Sequence, residues 1–329
     1  MKTTEELQRL YSEQLLGSLK ELEGRRKKTL LGMAALTAVA GLAGLVVMVP
    51  FIITVSSSES CVPCGLMFLL VLIFIGYVVG LGVLKGRYVR DFKGRVMPKI
   101  VAFIDEGLTY SGSQRVGESD FNRSRMFLKN PDRFTGEDYV SGVIGKTRIE
   151  FSEIHAEDKT EHRDSKGRRH TSYSTIFKGV FFIADFNKNF KGITLVLPDT
   201  AQKMLGGVLG SMLQSKNIMR PPLVKLEDPE FEKLFVVYGD DQVEARYILS
   251  TSLMQRITEF RGKTGREIYL SFVDNKVMVA VPSGRDMFEP RLFRSIVDYK
   301  QVEEYYNDLQ LVTGIVEDLN LNTRIWDKQ

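Results

Sequence analysis

LLGMAALTAVAGLAGLVVMVPFIITV, Leu30 to Val55, runs for 26 residues without a charged side chain, and GLMFLLVLIFIGYVVGLGVL, Gly65 to Leu84, runs for 20 more. About 20 residues at ~1.5 Å rise cross a hydrocarbon core of ~30 Å, whereas core helices of soluble proteins seldom stay apolar beyond about 14 residues. Both runs therefore read as transmembrane helices. The first follows a 29-residue segment that contains acids, and no small-residue cleavage site comes after it, so it does not read as a signal peptide.

Outward from these runs, the basic residues set the expected orientation. Arg25, Arg26, Lys27 and Lys28 precede the first helix, and Lys85, Arg87, Arg90, Lys93 and Arg95 follow the second. The connector Ser56 to Cys64 has neither Lys nor Arg. The positive-inside rule then places both termini in the cytoplasm, with the chain multi-pass in its membrane. Arg25, Arg26, Lys27, Lys28, Lys85, Arg87 and Arg90 are the membrane-flanking set expected to meet anionic lipid headgroups.

The chain has 329 residues, 43% hydrophobic and 26% charged, with a net charge of +4. Those averages combine a charge-free block with a strongly charged remainder. No basic face with interleaved aromatics or known nucleic-acid module appears, so no nucleic-acid partner is expected. Neither span carries an Asp, Glu, Lys, Arg or His, and an ion path or proton relay would need one.

The expected organisation has four parts: a cytoplasmic amphipathic helix at 1–28, a transmembrane hairpin at 29–84 (30–55 and 65–84), a juxtamembrane helix and linker at 85–119, and a cytoplasmic α+β domain at 120–329. Thr3 with Glu6 forms a capping box, and Leu7, Leu10, Tyr11, Leu15, Leu19 and Leu22 recur at helical spacing. That stripe packs either on the chain's own domain or in a coiled coil with a second protomer. Gly76 and Gly80, with Ala34, Ala38, Ala40, Gly41 and Gly44, offer small faces for close packing inside the hairpin or in a homodimer. Tyr88, Phe92, Val96, Ile100 and Phe103 continue a helix through Ile104, with Pro98 as a kink, and the Gly/Ser-rich stretch 107–119 reads as linker.

In the domain, Val140–Ile144, Thr147–Ile154, Ile176–Phe186 and Ile193–Leu197 read as a strand meander, and Glu157–His170 as a charged loop. Helices are expected at Thr200–Gln214, Val243–Arg261 and Val302–Leu319. A hairpin is expected between Glu267–Val273 and Val277–Val281, turning at Asp274 and Asn275. Strands in runs and helices in blocks give an α+β fold with a mixed, mainly antiparallel sheet and flanking helices.

The chemistry-bearing patterns mostly exclude. Cys61 and Cys64 form a C-x-x-C on the far side, a possible disulfide, but two thiols alone make no Cys-based zinc site. Gly145-Lys146-Thr147 and Gly262-Lys263-Thr264 lack the upstream glycine of a phosphate loop, since Val140 and Ile257 stand there, so both read as turns. His155, His162 and His170 lie among carboxylates with no ligand spacing. The glycines Gly206, Gly207 and Gly210 do not follow a strand in a βαβ unit, and no nucleophile elbow occurs. Catalytic, cofactor-binding and metal sites are therefore all read as none. Glu153 shares a strand face with Ile149 and Phe151, and a bulge that turns it outward is the expected remedy.

Several stretches carry a resemblance: Ser124–Phe127, FTGEDYVSG at 134–142, Phe151–Glu153, FKGVFF at 177–182 with Asp185–Lys188, FEKLFVVY at 231–238 and QVEARY at 242–247. Over roughly Tyr88 to Leu319 the sequence resembles a bacterial membrane-protein family known as domain of unknown function 3137, some of whose members carry a "galanin" label. The resemblance implies an N-terminal membrane hairpin and no known catalytic residue, and it points to a LemA-type membrane protein as partner. The function expected is a membrane-anchored interaction or scaffold protein, with Phe134, Glu137, Asp138 and Tyr139 as an exposed contact surface. The alternatives are an enzyme or ligand binder for lipid-derived or envelope material, with Glu137, Asp138 and Glu153 around a pocket, or a PH-like barrel that binds lipid headgroups.

Overall fold

The Thr3–Glu6 capping box opens α1, Thr4–Leu10: the Thr3 hydroxyl accepts from the Glu6 amide, and the Glu6 carboxylate accepts from the Thr3 amide at 2.7 Å. In the computed structural model, which describes residues 2–55, 62–163, 168–186, 189–199 and 220–322, a π-turn at Tyr11–Leu15 joins α1 to α2, Leu16–Val55. The amphipathic segment thus continues unbroken into the first apolar run. α3, Val62–Arg95, contains the second run and breaks at Val96, just ahead of Pro98, before α4, Met97–Ile104. The windows of highest hydropathy in these helices are 6% and 0% buried, so both helices are long and apolar enough to cross a membrane and leave their apolar surfaces uncovered.

The chain divides into two compact units: Met1–Lys99 with Glu289–Glu303, and Ile100–Phe288 with Glu304–Gln329. In the first, Leu7, Leu10, Leu15, Leu19 and Leu22 are all buried, so the amphipathic stripe is covered by the chain itself. The Tyr11 hydroxyl donates to the Val297 carbonyl at 3.0 Å, and its ring meets Tyr299 edge-on. A Cβ on Gly80 would lie 2.7 Å from Leu36 Cδ2, which marks the close approach of α3 to α2, while Gly41, Gly44 and Gly76 face open space. Thr37 and Tyr77 add a hydroxyl pair at 3.2 Å.

The basic set flanking the apolar runs divides into engaged and exposed residues. Arg26 is buried, pairs with Glu23 at 2.6 Å and donates to the Leu292 carbonyl at 2.8 Å, so it is not available to headgroups. Arg25 pairs with Asp91 and Glu21, and Lys85 with Glu289. Lys27, Lys28, Arg87 and Arg90 are exposed.

The second unit is built on one nine-stranded antiparallel sheet: β1 Leu108–Ser111, β2 Arg133–Ile144, β3 Thr147–Arg163, β4 Arg169–Asp185, β5 Thr194–Pro198, β6 Leu223–Val224, β7 Phe235–Gly239, β8 Tyr269–Val273 and β9 Lys276–Pro282, in the order β1-β2-β3-β4-β9-β8-β5-β7-β6. The expected meander holds only through β4. There the β8–β9 hairpin inserts, and β5 pairs with β7 and β8 instead. The hairpin turns at Asp274 and Asn275 as expected, with Asp274 at φ +58. No pairing joins β1 to β6 among the described residues.

Other expectations need correction. The supposed linker 107–119 contributes edge strand β1, and Val116 lies in the core, its amide donating to Ser152 Oγ. The charged stretch from Glu157 is no loop: β3 and β4 stay paired out to Arg163 and Arg169, past the ends of β2 and β9, as a two-stranded ribbon whose outer residues are exposed. The helix expected at 243–261 is two, α7 Gln242–Ile248 and α8 Thr251–Thr264, restarted by the Ser250 cap; α5 Glu118–Arg123 and α6 Pro229–Leu234 precede them. The last helix splits at Gly314 into α9 Tyr299–Thr313 and α10 Ile315–Asp318. Gly145 turns β2 into β3 as expected, but Gly262-Lys263-Thr264 is the last turn of α8. The helix at Thr200–Gln214 with its glycine cluster, the connector through Cys61 and the turn at 187–188 lie outside the described residues.

One sheet face carries the aromatic core around Phe121, Phe134, Phe177 and Phe181, with Ile154 and Leu195. The other face buries Val140, Phe151, Val180 and Phe182, and Glu153 lies among them.

Candidate functional site

The site grows out of an irregularity in β2. Glu137 stands opposite Glu153, but the next pair is Val140 with Phe151, so Asp138 and Tyr139 together oppose Ser152. This is a β-bulge, and Asp138 takes the left-handed conformation it requires, φ +61. The bulge lies on β2 and leaves Glu153 inward: Glu153 is only 8% exposed, and its Oε1 accepts from the Met287 amide at 2.6 Å. The expectation of an outward Glu153 fails because a backbone donor from the segment after β9 satisfies the buried carboxylate, as burial of a charge demands.

The bulge also redirects the proposed contact residues. Asp138 is 1% exposed and accepts a hydrogen bond from the Tyr110 hydroxyl, whose pKa burial, then the neighbouring carboxylate, pushes far above its ordinary value. Phe134 is buried in the core beneath Arg115, whose guanidinium lies 5.3 Å from its ring. Phe134 and Asp138 therefore do not form an exposed surface. Tyr139 is half-buried, with its hydroxyl donating to Glu150 Oε2 at 2.7 Å, and Glu137 faces a cleft.

That cleft, about 340 Å³, is lined by Thr135, Gly136, Glu137, Glu153, Ile154, His155, Lys178, Gly179, Arg285 and Asp286. Three strands supply successive rows: Thr135, His155 and Lys178 lie side by side, then Gly136, Ile154 and Gly179, then Glu137, Glu153 and Val180. Gly179 sits at φ +151, and any Cβ there would collide with the Val281 carbonyl, so only glycine lets β4 approach β9 this closely. The cleft thus presents three carboxylates, an imidazole, an ammonium and a guanidinium within one bowl.

Most of these groups already have partners. Lys178 pairs with Asp286 at 3.0 Å, and Arg285 holds Asp308 at 2.8 and 3.0 Å. The His155 Nε2 lies 3.2 Å from Thr175 Oγ1. Burial pushes the Asp308 carboxyl up despite the opposing pull of Arg285 and Arg266. Among the described residues no group of three or more His, Cys, Asp or Glu is placed to hold a metal ion; His162 faces His170 on the ribbon, away from His155. Cys64 is exposed, and Cys61, the other half of the possible disulfide, lies outside the described residues.

Sequence reasoning named Glu137, Asp138 and Glu153 together but missed Lys178 and Arg285. The signal available was the pair of glycines, Gly136 and Gly179, each flanked by chemistry-bearing residues.

Among curated proteins none matches the chain. The fold is similar to the crystal structure of the mycobacterial trehalose monomycolate transport factor A, TtfA, with a TM-score of 0.34 and 11% identity over 69% of this chain and 96% of that one. Residues 175–321 match the family described as protein of unknown function (DUF3137), the family that the sequence resembles.

Proposed function

We propose that the chain is an interaction or scaffold protein, anchored by two membrane-spanning helices in a bacterial inner membrane with both termini cytoplasmic. The observation that carries this reading is the uncovered apolar surface of α2 and α3, where Leu42, Val46, Phe68 and Phe74 are each more than 60% exposed. Contiguous apolar surface on two whole helices far exceeds what a soluble monomer tolerates, and lipid is the solvent that covers it. Anchoring raises the local concentration of the sheet domain near membrane partners without any new contact. The β3–β4 ribbon supplies the contact element, reaching about six residues, roughly 20 Å, beyond the sheet. A LemA-type membrane protein is the candidate partner, and a second copy of the chain is the other.

Crosslinking in native membranes tests this. The full chain should give a specific crosslinked partner that is lost when residues 159–173 are replaced by a two-residue Asn-Gly turn. Recovery of the full chain in the detergent-free soluble fraction would sink the reading.

A second reading is favoured by the Glu137–Glu153 pair in the cleft: a binding site for a polar, envelope-derived ligand. The partners already held by Lys178, Arg285 and Glu153 support binding over acid–base chemistry. Glu137→Gln should then weaken ligand capture.

A further inference from the structure

A second cleft in the sheet unit, about 440 Å³, lies at the end of α8 and is lined by Leu234, Thr258, Arg261, Gly262, Gly265, Arg266 and Glu267. Two arginines flank it, and among the described residues each keeps a buried nitrogen without a hydrogen-bond partner: Nε of Arg261 and Nη1 of Arg266. Both arginines line the cleft, and two guanidinium forks at one cleft suit an oxyanion that accepts from both. The Arg261 guanidinium lies 5.8 Å from the Phe235 ring, and the Thr264 hydroxyl accepts from the Arg266 backbone amide at 3.2 Å, which fixes the main chain between the two arginines. The backbone beside them is bare, since a Cβ on Gly262 or Gly265 would meet nothing within 4 Å.

Three features set the selectivity. Glu267 and the carbonyl end of α8 both oppose an anion, and Lys263 is occupied by Asp318 at 2.8 Å. Against that opposition, an oxyanion with several acceptor oxygens, able to accept from two guanidinium forks and from the Thr258 hydroxyl, gains most. Leu234 offers apolar surface for a small organic group attached to it.

We propose that this cleft binds a phosphate-class oxyanion, either free phosphate or a phosphomonoester, or the phosphate of a lipid headgroup. The site is separate from the Glu137–Glu153 cleft and independent of the proposed scaffold role.

The experiment uses the full chain in phosphatidylcholine nanodiscs. Inorganic phosphate is titrated calorimetrically against a chloride control, and vesicles of phosphatidic acid in phosphatidylcholine are compared with pure phosphatidylcholine vesicles. Saturable binding of inorganic phosphate, weakened at least about tenfold in Arg261→Gln and Arg266→Gln, supports a free phosphate or phosphomonoester ligand. Binding confined to the phosphatidic acid vesicles and weakened by the same variants supports a headgroup. Gly262→Glu keeps both arginines, has room to fold, and should abolish binding by placing a carboxylate in the cleft. Absence of binding in both arms, or binding unchanged in all three variants, overturns the proposal.

Discussion

The Glu153 carboxylate accepts a 2.6 Å hydrogen bond from the backbone amide of Met287, 134 positions later in the chain. The bond pins the segment after β9 onto the sheet face that carries Phe151 and Phe182. Glu153→Ala leaves that amide without its acceptor inside the protein, and the expected loss is about 1–3 kcal/mol. Glu153→Gln retains a carbonyl acceptor and should lose less. Chemical denaturation of the detergent-solubilised chain checks the order; equal stability of wild type and Glu153→Ala would refute the role.

Tyr110 and Asp138 lock the bulge from the neighbouring strand. Tyr110→Phe removes a donor to a buried carboxylate, at a cost of about 1.5–3 kcal/mol. Because burial raises the Tyr110 hydroxyl in the folded state, its stabilising contribution is complete below the unfolded value of 10.0 and is lost as pH climbs through the higher folded value. Wild type should therefore lose stability above pH 10 more steeply than Tyr110→Phe, measurable by melting curves across alkaline buffers.

Asp308 gives a pH dependence at the other end of the scale. Its carboxyl is raised above 3.8 by burial, so the protonated form favours the fold; the stabilisation is complete below 3.8 and is lost as pH rises through the folded value. Asp308→Asn should flatten the fall in stability with rising pH that begins near pH 4. Urea unfolding at several pH values reads the slope, and an unchanged slope would remove Asp308 as its source.

Gly80 and Gly76 separate two uses of small residues in α3. Gly80→Leu forces a side chain against Leu36 and should cost about 1–3 kcal/mol, whereas Gly76→Leu meets open space within the hairpin. Thermal melts in detergent should show a loss for the first alone. A loss for Gly76→Leu only in lipid would reveal a second copy packed on that face.

How much of this was legible depends on the range of the cause. The apolar runs, the Thr3–Glu6 capping box and the Asp274–Asn275 hairpin were readable because each signal lies within a few residues of its effect. β2 was read only from Val140 because the bulge at Asp138 breaks the alternation that would have extended it back to Arg133. β1 was lost in a Gly/Ser-rich stretch because a four-residue edge strand owes its existence to its neighbour and little to its own propensity. The ribbon reads as a loop in the sequence because its residues are polar on both faces, as a pair without a sheet neighbour can be. The cleft was half visible: Glu137 and Glu153 are among the acids the sequence offers for a pocket, while Lys178 and Arg285 reach it through the β3–β4 pairing and the segment after β9, which no local pattern encodes.

The insertion of β8–β9 beside β4 has a consequence for biosynthesis. As the chain emerges from the ribosome, β4 finds β3 at once, but its other edge stays bare until Lys276–Pro282 has been made, on the order of ten seconds later at ordinary elongation rates. During that interval an apolar strand, Val180 to Ala184, offers unsatisfied amides and carbonyls to any neighbouring nascent chain. A transcript truncated between Asp185 and Lys276 would make that transient state permanent, and its product would be a target for chaperones and proteases.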